Sequence, residues 1–127
     1  MRLKHFNLQI GSQLMKALGD EARLRLLNLL LHYGPLTISD LEFILDFTQT
    51  KTSRHIAYLK NSGMLTLGKV EKWALYSIKE EVEDIVSQFL AFIDKDPQLQ
   101  ADREVYQTLY SNRELTINKI TLPRKTR

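Results

Sequence analysis

The chain has 127 residues, 43% of them hydrophobic, with a formal net charge of +3 and no cysteine. That length and apolar content predict one compact domain, of a size that often gains further burial by pairing. The missing thiols exclude disulfides, thiolate metal sites and thiol redox sensing together.

The small net charge hides a strong segregation. Residues 1–36 hold five basic and two acidic groups, residues 37–47 three acids, and residues 48–63 three bases and no acid. The stretch 79–94 is acidic again and 112–127 is basic. Such a layout suits a protein that turns one face toward phosphate and another toward a partner. The longest apolar run, Leu26 to Leu31, is broken by Asn28 and is far too short to span a bilayer. The opening MRLKHFNLQIG lacks the continuous apolar core of a secretion signal. A cytoplasmic protein without membrane association is expected.

Leu8, Ile10, Leu14, Met15 and Leu18 predict a first helix of about three turns. Gly11 weakens it by roughly 1 kcal/mol against alanine. Its apolar residues exceed what one small core needs, which points to a second subunit. Asp20 is placed to cap a second helix, with Glu21 in its first turn. Its leucines make that helix broadly buried, with Arg23 and Arg25 expected to project away, and Gly34-Pro35 ends it. His32 falls in the last turn, where a cation meets the helix dipole. Thr37 to Asp40 has the spacing of a capping box, opening a short acidic helix with Leu41, Ile44 and Leu45 inward.

The stretch TQTKTSRHIAYLKNSGML, residues 48–65, organises the rest. Thr48 stands where an N-cap belongs and Gly63 where a C′ glycine belongs. Thr52, Ile56 and Leu59 recur at i, i+4 and i+7 as an inward stripe. Gln49, Thr50, Ser53 and Arg54 share the other side, a set of groups suited to reading base edges in a major groove. An ordinary solvated face would mix glutamate with its lysines, and here no acid falls between 47 and 70. After Gly63, MLTLGKVEKWALYSI alternates like a two-stranded hairpin, with Lys69 and Lys72 flanking its turn within reach of phosphates.

An acidic helix, three residues of turn, a basic helix and a hairpin follow in order, the pattern of a winged helix-turn-helix. With ALGDEARLRLL upstream and FTQTKTSRHIAYLKNSGML at the centre, the chain closely resembles the ArsR/SmtB-type repressors, whose segments look like ALADPTRLRIL and LSQSTVSRHLKVLREAGLV. The likeness covers roughly residues 10–94. It implies a mainly α fold with a small β-hairpin, dimeric, binding double-stranded DNA at a pseudo-palindromic operator. The chain departs from the family at the wing tip, which reads KVEK without glycine.

By that resemblance Gln49, Thr50, Ser53 and Arg54 contact bases, and Thr48, Lys51, Lys69 and Lys72 are expected on the DNA backbone. The segment EEVEDIVSQFLAFI, residues 80–93, predicts an amphipathic helix with an apolar stripe wider than one face. In the family this helix pairs with its twin, so Leu8, Leu14, Val82, Ile85, Phe89 and Ile93 are the expected dimer contacts. Residues 1–94 are then the DNA-binding and dimerisation domain, and residues 95–127 a helical extension with a basic tail. Asp96-Pro97 opens that extra helix. The tail ELTINKITLPRKTR leaves three placements open: free in solvent, a strand on the partner subunit, or an arm on DNA.

Many relatives sense metals through a cysteine pair before the recognition helix or through Asp and His on the last core helix. Neither set is present. Only His5, His32 and His55 supply imidazole, and residues 80–93 hold none. No metal and no cofactor is expected, and the effector is a small organic molecule or a protein. There is no phosphate loop, nucleophile motif or HExxH, so no enzyme is expected. The competing class is a winged helix used only for protein–protein contact, which would not require a basic helix stripped of acids.

Overall fold

A computed structural model describes residues 5–120. The elements run α1 (Leu8–Leu18), α2 (Glu21–Tyr33), α3 (Ile38–Leu45), α4 (Gln49–Asn61), β1 (Leu65–Val70), β2 (Trp73–Ile78), α5 (Glu80–Phe92) and α6 (Pro97–Ser111), then a 3-10 turn at Thr116–Lys119. The fold is mainly helical with one antiparallel hairpin: a winged helix-turn-helix carrying an extra C-terminal helix. No described helix is long and apolar enough to cross a membrane.

Helix α2 is the hub. It touches α1, α3, α4, α5, α6 and β2, and Leu26 through Leu31 are buried without interruption. A helix surrounded on every side cannot have a polar face, so its arginines do not project away as the sequence suggested. Arg25 instead makes a two-pronged ion pair with the buried carboxylate of Asp102 on α6, at 2.8 and 3.0 Å. Asn28, also buried, donates to the Leu99 carbonyl and accepts from Arg103. Tyr33 stacks on Tyr106 with ring centroids 3.7 Å apart. Residues 97–111 therefore lean on the hub through a polar and aromatic seam.

Helix α3 begins at Thr37, whose hydroxyl accepts from the Asp40 N–H. The second half of the expected capping box is absent. The Asp40 carboxylate, buried at 2% exposure, accepts instead from the N–H groups of Thr116 and Ile117. Leu115, Ile117 and Ile120 are buried beside them. This part of the tail packs on its own chain, a placement outside the three left open. Residues 121–127, with most of the basic charge expected there, lie outside the described residues.

The hairpin pairs Leu65 with Ile78 through to Val70 with Trp73, leaving Glu71 and Lys72 as a two-residue loop. It is anchored from a direction the sequence did not reveal. Leu36, between α2 and α3, exchanges two hydrogen bonds with Tyr76 on β2 at 3.0 and 2.9 Å. That rung ties the wing to the entry of the helix-turn-helix.

Candidate nucleic-acid interface

Helix α4 forms where its caps dictate. The Thr48 hydroxyl accepts from the Lys51 N–H at 3.1 Å. At the far end Gly63 holds φ at +82°, a backbone setting that costs glycine nothing. Thr52, Ile56 and Leu59 are all buried, as the stripe predicted. The Thr52 hydroxyl donates to the Thr48 carbonyl at 2.8 Å, which lets a polar side chain sit inside. On the opposite side Gln49, Thr50 and Arg54 are exposed and Ser53 is half-buried. Three residues of turn, Asp46 to Thr48, precede it, with Asp46 left-handed at φ 57°.

The expected backbone contacts stand around this face. Thr48 is exposed at the N-terminus of α4, where the helix dipole and unpaired N–H groups favour an anion. Lys51, half-buried, carries its ammonium 4.2 Å from the Phe47 ring centroid. Lys69 and Lys72 are exposed at the end of the hairpin, with the Lys72 ammonium 4.8 Å from the Trp73 ring centroid. The tip itself is unusual. Glu71 has φ of 56° while Lys72 does not share the positive region, so the loop has the sign pattern of a type II′ turn without the glycine such a turn prefers.

Behind α4 lies a cluster that sequence reasoning missed. Arg23 of α2 donates from Nε to the Ala17 carbonyl at 2.8 Å and from one terminal nitrogen to the Lys16 carbonyl at 3.0 Å. Its other terminal nitrogen lies 3.3 Å from His55 Nδ1. The guanidinium carbon sits 4.1 Å from the centroid of the Tyr58 ring. Arginine has no acceptor, so His55 must accept through Nδ1 and carry its proton on Nε2. Burial pushes the His55 pKa below its ordinary value; Arg23, Arg54 and Lys51 push the same way, and Asp20 opposes them. Asp20 caps α2 by accepting from the Arg23 N–H. Burial alone would raise its pKa, but N–H bonds from Arg23 and Ala22 with the charges nearby hold it below the usual value. A signal for this cluster existed: a helix apolar all round leaves its cations no open side.

The residues expected at a dimer contact divide. Leu14 and Val82 are already buried within the chain's own core at 4% exposure. Ile85, Phe89 and Ile93 are half-buried, and Leu8 is 91% exposed. Met15 and Phe92 join Leu8 as large exposed apolar side chains on α1 and α5. The first turn of α5 holds Glu80, Glu81 and Glu83, which sets that end apart from the basic face.

Known proteins share this arrangement. The family model described as bacterial regulatory protein, arsR family, matches residues 20–66. The arsenical resistance operon repressor of Escherichia coli K12 is 34% identical over 100 residues, covering 79% of this chain and 81% of that protein. The repressor of the same description from Bacillus subtilis 168 is 33% identical over 82 residues, 64% of this chain and 78% of that one. Among solved structures, HlyU from Vibrio cholerae N16961 superposes with a TM-score of 0.62 at 26% identity, over 70% of this chain and 97% of its own. A homodimeric winged helix-turn-helix DNA-binding domain from Mycobacterium bovis shares the fold, with a TM-score of 0.63 at 22% identity over 69% and 82% of the two chains. The helix pair, the basic α4, the hairpin and these matches agree: the chain belongs to the ArsR family of winged helix-turn-helix, DNA-binding transcriptional regulators, a family of regulators rather than enzymes.

Proposed function

We propose that two copies of this chain act as a repressor on a pseudo-palindromic operator, each setting α4 into one of two successive major grooves. The observation that carries this reading is the divided surface of α4. Its inner stripe is locked in the core, while Gln49, Thr50 and Arg54 stand exposed on a helix without acids. Gln49, Thr50, Ser53 and Arg54 read base edges. Thr48, Lys51, Lys69 and Lys72 hold phosphates. Residues 1–94 carry binding and pairing, and 95–127 are an extension whose helix α6 braces α2. The relatives named as operon repressors support repression over activation.

Pairing uses the surface that the single chain leaves uncovered: Leu8, Met15 and Phe92, with Ile85, Phe89 and Ile93 at their margin. Leu14 and Val82, expected at the same contact, belong to the chain's own core. Phe92→Glu tests this directly. At 87% exposure Phe92 contributes little to the single chain, so the substitution leaves its far-ultraviolet circular dichroism unchanged and shifts sedimentation equilibrium toward monomer. A wild-type monomer that binds a palindrome tightly overturns the dimer.

The signal is a small organic molecule or a protein. Two relatives are named for arsenical resistance, but the chemistry of an arsenic or cadmium site needs thiolates and this chain has no cysteine. Helix α5 has no histidine. Among the described residues, no group of three or more His, Asp or Glu is placed to hold a metal ion. The donor set does not fit a soft or borderline metal. Operator affinity by anisotropy, with and without stoichiometric Zn²⁺, Ni²⁺, Cd²⁺ or arsenite, is expected to stay constant. A tenfold change, about 1.4 kcal/mol of coupling, refutes this.

The same assay on promoter DNA separates operator binding from a protein-docking winged helix. Three lysine–phosphate contacts per subunit, at Lys51, Lys69 and Lys72, give a slope of log affinity against log salt of roughly −5 for the pair; the uncharged Thr48 adds nothing to it. A flat salt response with no sequence preference favours the protein-docking class.

A further inference from the structure

Arg23 contacts neither of the surfaces proposed above, yet it joins the elements that carry them. Its donors leave in three directions. Two reach the carbonyls of Lys16 and Ala17 in the last turn of α1, the negative end of that helix. One reaches His55 on α4, and the flat face of the guanidinium covers the ring of Tyr58, one turn further along. A planar fork fixes direction as well as distance, which a lysine ammonium does not. His55 immediately follows Arg54, so any roll of α4 that breaks the bond to His55 also swings Arg54 across the groove.

We propose that Arg23 is the positioning residue of the reading helix, setting the rotation of α4 against α1 by way of neutral His55 and the Tyr58 ring. This rests on the operator reading above. It makes base discrimination depend on a group that touches no base. Non-specific attraction to phosphate depends on charge and distance, and tolerates a small roll. Base reading depends on hydrogen-bond geometry at the groove edge and does not.

The test compares operator with scrambled DNA of equal length, by anisotropy at one salt concentration, alongside urea unfolding of each variant. Arg23→Lys keeps the charge and loses the fork. His55→Leu removes the acceptor, and His55→Asn restores an acceptor near the Nδ1 position. Tyr58→Ser removes the ring at a site 41% exposed, where folding is least at risk. The expected result is that Arg23→Lys and His55→Leu each reduce operator-over-scrambled preference about tenfold, toward the loss that Arg54→Ala gives. Scrambled affinity stays within about twofold, His55→Asn keeps the preference, and the Arg23→Lys/His55→Leu double variant loses no more than either alone. Tyr58→Ser falls in between.

Equal proportional losses on both DNAs reduce Arg23 to a stability residue and overturn the proposal. So does an undiminished preference in Arg23→Lys or in Tyr58→Ser. A wild-type protein without sequence preference fails at an earlier step, removing the operator reading and the role of Arg23 with it.

Discussion

The outer face of α4 and the seam between α2 and α6 are both rich in polar and charged groups, and they use them in opposite ways. On α4, Arg54 stands in solvent with Gln49 and Thr50 beside it. In the seam, Arg25 is paired to Asp102, which also accepts from Gln98. Arg103 there donates to Asn28 and to the Asp94 carbonyl and lies 3.4 Å from the Asp94 carboxylate. Gln107 donates to the Tyr33 hydroxyl. The seam is saturated and the α4 face is not. Counting charges along the chain treats Arg23, Arg25 and Arg54 alike. Only Arg54 stands in solvent, and the difference comes from what surrounds each helix, not from its local sequence.

The largest test of that contrast is in the seam. Asp102→Ala leaves the Arg25 guanidinium partly buried without its carboxylate, and is expected to cost about 3 kcal/mol or more. Urea unfolding reads the loss; a change under 1 kcal/mol means the seam is not the brace described here. Next comes the α4 face. Arg54→Ala is expected to leave stability within about 0.5 kcal/mol while costing about 1–3 kcal/mol of binding at one base position. Lys51→Ala weakens all sequences about equally. Binding to a panel of single-base operator variants checks both, and equal sequence-blind losses remove Arg54 from base reading.

Smaller effects come from the wing and from pH. Glu71→Gly relieves a left-handed setting, φ 56°, that costs a side chain roughly 1 kcal/mol, so a rise in melting temperature is expected by thermal unfolding. The pH effect is the smallest. His55 titrates below its ordinary 6.5 in the folded chain, so in the window between the two values the unfolded chain binds more protons. The stability from neutral His55 is fully present above about pH 6.5 and is lost as pH falls through the folded value. Asp20, held below its ordinary 3.8, adds a further fall at lower pH, as that carboxylate is protonated. Urea midpoints across pH check the upper step, which His55→Asn abolishes.

The legible parts of the molecule were local. Thr48 and Gly63 mark the ends of α4 by their own backbone chemistry, and the Thr52, Ile56 and Leu59 stripe needs only helical periodicity. Asp96 and Pro97 opened α6 as their residue types imply. What stayed hidden joins positions far apart in the chain. The Leu36 rung on Tyr76, the Arg25 pair with Asp102 and the bonds from Asp40 to Thr116 and Ile117 have no local pattern. Leu14 and Val82 show the same limit. Their spacing marks them as inward, but whether inward means this chain's core or a partner depends on neighbours brought in by folding.

The bonds between Asp40 and the 3-10 turn impose an order on biosynthesis. A carboxylate at 2% exposure needs its two N–H donors, because a buried charge without them is costly. Those donors belong to Thr116 and Ile117, made after every residue of the helix-turn-helix and its wing. While the chain is still growing, α3 must keep that acid in water or hold it buried and unsatisfied. The scaffold of α4 reaches its final setting only after synthesis has passed residue 117, so a stalled chain carries α4 without the finished α3 behind it.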